Sequence, residues 1–187
     1  YRVLTLERGT SSDYSLEAEV RADSGRVGFA GLAFGRKSPQ NFHALVLFPP
    51  RPQSAAREGL SQAGWVDLAS FYGDNASTTW RHTSIPAADT ETGAGGTWHK
   101  LRIDVVGSVA DAWVDDEWIA TQSFASSDVL SGGFGLITGP GEAQFRELRF
   151  LSRAPGDPTS AVQRALRLEG LVEGETAIAD SYLDAVP

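Results

Sequence analysis

The stretch from Thr97 to Phe150 constrains the fold more than any other part of the chain. It consists of short runs in which apolar and polar residues alternate, and residues typical of tight turns separate these runs. In the first run, Leu101, Ile103 and Val105 occupy every second position, so they share one face of an extended strand. A series of short alternating strands predicts the back half of an antiparallel β-sandwich.

Two details of this stretch predict local geometry. Asp115-Asp116 joins two strand-like runs, and such a pair suits the positive φ angles of a tight hairpin turn. In the closing run, Phe145, Leu148 and Phe150 do not share one face of a regular strand, which predicts a β-bulge.

The first half of the chain continues the pattern. Tyr14 to Ala22 alternates cleanly, which predicts a strand with one buried face. Gly28 to Gly35 carries glycines on one face, where another backbone, a bulky side chain or a ligand can come close. Phe42 to Phe48 is apolar on both faces, so we expect a central strand that is covered on both sides.

We therefore expect an all-β chain whose residues 1–152 form an antiparallel jelly-roll sandwich. Residues 153–187 are expected to form a linker at Ala154 to Pro158, a short helix capped by Thr159 or Ser160, and an acidic tail. Apolar residues of this extension are predicted to dock on a partner: Leu168, Leu171 and Leu183.

Charge and composition narrow the possible partners. The net charge is −8 and the Lys and Arg residues are not clustered, which argues against binding to nucleic acid. The absence of cysteine excludes disulfides and thiolate metal sites. No apolar run approaches the ~20 residues that span a bilayer. The chain begins at Tyr1 without a methionine, and a removed export signal would fit, so we expect an extracytoplasmic location, either periplasmic or secreted.

Several segments together resemble the concanavalin A-like lectin/glucanase superfamily, and within it the laminin-G-like modules and the 3-keto-disaccharide hydrolase-type domains. The segments are Trp98-His99-Lys100-Leu101-Arg102-Ile103, the hairpin around Val114-Asp115-Asp116, Gly133-Phe134-Gly135-Leu136, and Phe145 to Phe150. Asp13 to Val20 and Gly31 to Phe34 are similar to earlier strands of that family. The resemblance covers Asp13 to Leu151, and it implies the jelly-roll fold more strongly than any activity.

The carboxylates of a glycoside hydrolase are not found in the sequence. Laminarinase-like members of the superfamily carry a Glu-x-Asp-x-Glu segment, which holds an acid and a nucleophile across the sugar bond. This chain has no such segment, and the hairpin carries Asp116 where the family usually has glycine. Glu17 and Glu19 share a face, but that face is the outward one of a strand, which is typical of surface charge.

Aromatic residues beside amide and carboxylate groups indicate a candidate sugar site, because ring faces stack on the C–H surfaces of sugars. Two of the five tryptophans border polar loops that contain such groups. The predicted ligand-binding residues are Trp65, Tyr72, Asp74, Asn75, Trp80 and His82. Packing of these rings against neighbouring strands is the alternative. The other tryptophans, Trp98, Trp113 and Trp118, are expected to fill the core of the sandwich.

No cofactor and no metal site is predicted. The histidines lack metal-ligand spacing, and His43 alternates with leucines, so we expect it to be buried and hydrogen-bonded. Calcium is common in the superfamily, and it stays an alternative to a solvated hairpin for a set of hard oxygen ligands: Asp111, Asp115, Asp116 and Glu117.

The sequence thus predicts a non-catalytic binding or accessory module outside the cytoplasm. Its partner is expected to be a glycan, or else a larger protein assembly in which the chain is a structural subunit. A carbohydrate-active enzyme of the 3-keto-disaccharide hydrolase type is the alternative.

Overall fold

A computed structural model of the chain describes residues 1–8, 13–22, 28–49, 64–72, 76–84 and 97–152. This part contains eleven strands and one short helix. In chain order they are β1 (Arg2–Arg8), β2 (Tyr14–Ala22), β3 (Ala30–Ser38), β4 (Asn41–Phe48), β5 (Trp65–Tyr72), β6 (Ala76–Ser84), β7 (His99–Val106), β8 (Val109–Val114), β9 (Glu117–Ser123), α1 (Ser127–Leu130), β10 (Gly133–Thr138) and β11 (Ala143–Ser152).

The strands form two antiparallel sheets that pack face to face. The six-stranded sheet has the order β1-β10-β3-β4-β5-β6, and the five-stranded sheet has the order β11-β2-β7-β8-β9. The first and last strands therefore lie at sheet edges, beside strands that are distant in sequence. The predicted all-β antiparallel sandwich is confirmed.

The core lies between the inner faces of the two sheets. Along β2, buried residues alternate with half-buried ones from Tyr14 to Ala22, and β7 repeats this pattern from His99 to Val106. The six-stranded sheet supplies the other side of the core from its central strands. Its largest contributors are Leu32, Phe34, Leu45, Leu47 and Leu68.

Strand β4 is buried on both faces, as predicted. Residues Phe42 to Leu47 are all buried. The glycine-rich neighbour β3 makes close packing possible, because a Cβ atom on Gly31 would lie 2.0 Å from the carbonyl oxygen of Leu45. The expected close approach of another backbone to this glycine face is therefore present.

Helix α1 closes one end of the sandwich and is held by polar side chains from both sheets. The hydroxyl of Tyr14 donates a hydrogen bond to the carbonyl of Leu130 (3.2 Å). His43 is 2% exposed, and its Nδ1 lies 2.6 Å from the hydroxyl of Ser70. A hydrogen bond to the backbone of Val129 ties the same ring to the helix. The predicted buried, hydrogen-bonded role of His43 is confirmed.

The hairpin between β8 and β9 has the predicted turn. Asp115 and Asp116 have φ angles of 52° and 67°. The Asp115 carboxylate accepts hydrogen bonds from the Lys100 amide (2.8 Å) and contacts His99 Nδ1 at 2.7 Å, so the turn is tied to β7. The predicted bulge of β11 is also present, because the register to β2 shifts between Arg146 and Arg149.

Residues 153–187, with Leu168, Leu171 and Leu183, lie outside the described residues, as does most of the loop between β4 and β5. In the described part of the chain, no helix has the length and apolar character needed to cross a membrane.

Candidate ligand-binding surfaces

The outer face of the six-stranded sheet carries a second apolar cluster, separate from the core. Its floor is made of buried residues on β3, β4 and β10: Ala33, Phe42, Ala44, Val46 and Ile137. Aromatic rings stand at both ends of this floor. Phe42 stacks on Phe71 at one end, with ring centroids 4.8 Å apart, and Phe48 stacks on Trp65 at the other end, also at 4.8 Å.

The Tyr1 ring lies over part of this outer face. Its centroid lies 5.5 Å from that of Phe42 on β4 and 5.3 Å from that of Phe71 on β5. Tyr1 immediately precedes the edge strand β1, and β10 and β3 lie between β1 and β4, so the ring reaches across the face to the central strands. We call this surface the aromatic face. Its Phe42–Phe71 end is covered by the Tyr1 ring.

The other end of the aromatic face combines aromatic and polar groups. Trp65 is half-buried and lies nearly parallel to Phe48, with 10° between the ring planes. Phe29 packs against Phe48 from β3's side, with centroids 5.3 Å apart. Asp67 follows Trp65 by two positions on β5, so it lies on the same face of the sheet, and it is half-buried.

The structure separates the predicted ligand-binding residues. Trp65 and Tyr72 are the two ends of β5, which puts about 23 Å between them at ~3.3 Å per residue. Trp80 and His82 belong to β6, where the backbone of His82 pairs with Asp67. In the sheet register Trp65 pairs with Phe48 and Ser84, the Asp67–His82 pair lies two positions further along, and Tyr72 lies at the other end of β5. Asp74 and Asn75 lie outside the described residues.

The outer face of the five-stranded sheet has a different character, and we call it the polar face. Charged side chains from neighbouring strands pair across it. Lys100 Nζ lies 3.5 Å from Glu17 and 2.8 Å from Asp116, while Arg146 pairs with Glu19. Glu17 and Glu19 are thus surface charges with basic partners, in agreement with their predicted role.

Three tryptophans lie on the polar face, so the expectation that they fill the core is wrong. The guanidinium of Arg102 covers the ring of Trp113, 4.1 Å from its centroid. Arg146 covers Trp98 in the same way at 4.2 Å. Trp118 pairs with Trp113 in the β8–β9 register and is 38% exposed.

The reason is the period of β8. Ala110, Ala112 and Val114 take its inward positions and leave Asp111 and Trp113 on the outer face. The alternation of small and large residues along β8 already indicates this arrangement. The prediction instead followed residue type, because large aromatic rings are usually buried. The small alanines fill the core position where an indole was expected.

The exposed Trp118 ring is held in place by a short chain of hydrogen bonds. Its indole N–H donates to the hydroxyl of Thr121 (3.2 Å), and that hydroxyl donates to the carboxylate of Asp111 (2.5 Å). Asp111 is only 4% exposed. The sequence predicted Asp111 only as one of several oxygen ligands, and it did not connect Thr121 with Trp118.

Asp115 and Asp116 of the β8–β9 hairpin are engaged with protein groups. Burial raises the pKa of Asp115, but hydrogen bonds from His99 and from the Lys100 amide outweigh burial and hold it below its usual 3.8. Within the described ranges, no three histidine, aspartate or glutamate side chains converge as metal ligands would. Bound calcium stays an untested alternative.

Comparison with known proteins identifies the fold. No family model and no curated protein matches the sequence. Among solved structures, the carbohydrate-binding module CBM66 from Bacillus subtilis matches over 78% of both chains, with 17% identity and a TM-score of 0.57. The galectin LEC-6 of Caenorhabditis elegans matches over 80% of this chain and 89% of its own, with 11% identity and a TM-score of 0.50.

An enzyme chain also matches in part. The GH43 protein BlXynB of Bacillus licheniformis aligns over 76% of this chain but only 28% of its own length, with 12% identity and a TM-score of 0.54. At such identities the likeness is one of fold. The chain is a β-sandwich of the lectin-like kind, and the narrower assignment to the concanavalin A-like superfamily stays a proposal.

Proposed function

We propose that this chain is a non-catalytic carbohydrate-binding module that works outside the cytoplasm, and that its ligand lies at the Trp65 end of the aromatic face. The proposal combines the lectin-like fold with one local observation. Trp65 presents a half-buried ring that is stacked on Phe48, and the carboxylate-bearing Asp67 stands two positions away on the same face.

Such a pair suits a sugar for a physical reason. A pyranose has C–H groups on its ring faces and hydroxyls around its rim, so it needs a flat aromatic surface beside a hydrogen-bond acceptor. Stacking on Phe48 restrains the Trp65 ring before a ligand arrives, which lowers the entropy lost on binding. The backbone of His82, another residue that the sequence predicts for the site, pairs with Asp67 on the neighbouring strand β6.

The composition of the aromatic face also limits where a ligand can lie. Its floor is buried and apolar, and Tyr1 occupies the Phe42–Phe71 end. A floor of this kind offers no hydrogen bonds to sugar hydroxyls. We therefore expect a short recognition site of one or two sugar rings at the Trp65 end, rather than a long groove.

An array of neutral and acidic oligosaccharides, followed by calorimetry on the sugars retained, tests the proposal. We expect millimolar or tighter binding, which Trp65→Ala weakens at least about tenfold and Trp65→Phe weakens less. Leu4→Ala is the matched control, because Leu4 is an exposed apolar residue on β1, at the far edge of the same sheet. Absence of any bound sugar at millimolar concentration contradicts the function, and full binding by Trp65→Ala contradicts the site.

Three further experiments test the remaining sequence predictions. Tyr72→Ala reports whether the site extends to the other end of β5, and we expect little change because of the distance from Trp65. Release of reducing sugar from a disaccharide panel would favour the alternative of a 3-keto-disaccharide hydrolase-type enzyme. Docking of Leu168, Leu171 and Leu183 on a protein subunit stays a prediction, and co-purification from the native source tests it.

A further inference from the structure

The polar face holds an exposed aromatic ring in a fixed orientation. Trp118 is 38% exposed, and its indole N–H is bonded to Thr121. Thr121 is itself oriented by Asp111. An exposed ring on a surface strand normally samples several rotamers, whereas this one is restrained through two successive hydrogen bonds.

The restraint on the Trp118 ring depends on the carboxylate of Asp111, a group that is costly to bury. A carboxylate loses hydration when it is taken out of water, and Asp111 is only 4% exposed. A buried carboxylate needs hydrogen-bond donors, and the Thr121 hydroxyl is one of them. The same bond orients the hydroxyl oxygen so that it accepts from Trp118. The buried carboxylate and the exposed indole are thus parts of one arrangement.

The charges around Trp118 indicate which ligand the surface suits. Arg102 covers the neighbouring Trp113 and lies 3.3 Å from Asp104 and 3.9 Å from Asp116. One guanidinium thus stands beside two carboxylates, and Asp111 adds a third next to Thr121, so the surface around Trp118 carries an excess of negative charge that disfavours an anionic ligand. A neutral ligand with hydroxyl groups fits such a surface better than a uronate or a sulfated sugar.

We propose that Trp118 is the platform of a second carbohydrate site, which binds a neutral pyranose on the sheet opposite to Trp65. The ring face of Trp118 stacks on the sugar, and the Thr121 hydroxyl, which contacts the indole N–H, is the polar group that a sugar hydroxyl would meet beside the ring. The proposal rests on the proposed function for its class of ligand, but it uses different residues on a different sheet.

Binding stoichiometry in calorimetry tests the proposal with the neutral sugar that the array retains most tightly. We expect two sugars per wild-type chain and one per chain for either Trp118→Ala or Trp65→Ala. Thr121→Val keeps the ring but removes its restraint, so we expect the affinity of the second site to fall about threefold to tenfold. Leu151→Ala is the control, because Leu151 is 62% exposed at the opposite edge of the same sheet.

Each outcome separates the two proposals. One sugar per wild-type chain that is lost in Trp65→Ala and unaffected by Trp118→Ala overturns the second site and leaves the proposed function intact. One sugar that is lost only in Trp118→Ala supports the Trp118 platform and overturns the Trp65 site. An unchanged far-ultraviolet and near-ultraviolet circular dichroism spectrum shows that each variant is folded. Equal affinity of Thr121→Val and wild type for a Trp118-dependent sugar overturns the role of the hydrogen-bond chain.

Discussion

The buried histidine beneath helix α1 makes the stability of the sandwich depend on pH. Burial lowers the pKa of His43 from 6.5 to about 4, although the hydrogen bond to the backbone of Val129 acts in the opposite direction. The folded chain therefore keeps the ring neutral at pH values where the unfolded chain has already protonated it. In this window the unfolded state binds more protons, so the free energy of unfolding falls as the pH falls.

The magnitude follows from these two pKa values. Below pH 4 the full difference of 2.5 pKa units, 6.5 minus about 4, corresponds to a loss of about 3 kcal/mol. Between pH 7.5 and pH 5 the expected loss from His43 is about 2 kcal/mol. Asp115 does not contribute in this interval, because its pKa lies below 3.8 and it stays ionised.

Urea unfolding followed by tryptophan fluorescence measures this effect. His43→Gln is the reference, because a glutamine can hydrogen-bond with Ser70 but does not titrate. We expect the difference in unfolding free energy between wild type and His43→Gln to shrink by about 2 kcal/mol from pH 7.5 to pH 5. Other titrating groups are the same in both proteins and cancel. A difference that stays constant over this range would refute the neutral, buried state of His43.

Two further pairs of variants test the backbone at tight positions. Asp116→Gly should raise the unfolding free energy by about 0.5–1 kcal/mol, because glycine adopts the positive φ angle without strain, and the lost ion pair to Lys100 is exposed. Asp115→Gly relieves the same kind of strain but removes the carboxylate whose hydrogen bonds tie the turn to β7, so the net effect should be a fall of about 1 kcal/mol. Gly31→Ala should cost about 3 kcal/mol or more, because the new methyl group would overlap a backbone carbonyl. In Gly107→Ala the new methyl group meets no neighbour within 4 Å, so the substitution should cost only about 1 kcal/mol, from the strain of an alanine at a positive φ angle. Denaturant titration measures the unfolding free energy of all four variants. The prediction for the turn is contradicted if Asp115→Gly and Asp116→Gly change stability in the same direction.

Local pattern was sufficient to predict much of the fold. The alternation of Tyr14 to Ala22 and the apolar faces of Phe42 to Phe48 identified β2 and β4 with their burial. The turn at Asp115 and Asp116 followed from residue chemistry alone. These features depend on neighbours in sequence, so the sequence contains the information directly.

The binding surfaces depend on register between strands, which the sequence does not state. Trp65 and Tyr72 are seven positions apart and were grouped by proximity along the chain, but an extended strand carries them to opposite ends of the sheet. Conversely, Asp111 and Thr121 are ten positions apart and meet only because β8 pairs with β9 in one register. Whether the Trp118 side chain lies on the inner or the outer face of the sheet also depends on the pairing across the hairpin.

The order of strands has a kinetic consequence. Strands β7, β8 and β9 are consecutive in sequence and joined by short turns, so loop closure between them loses little chain entropy. The edge pairing of β11 with β2 instead joins Arg146 to Glu19, 127 positions away. We expect the β7–β9 meander to form early and the closing edge strand to join late, with millisecond or slower refolding overall. Until β11 joins, the edge of β2 is open to other chains, so refolding yields should fall as protein concentration rises.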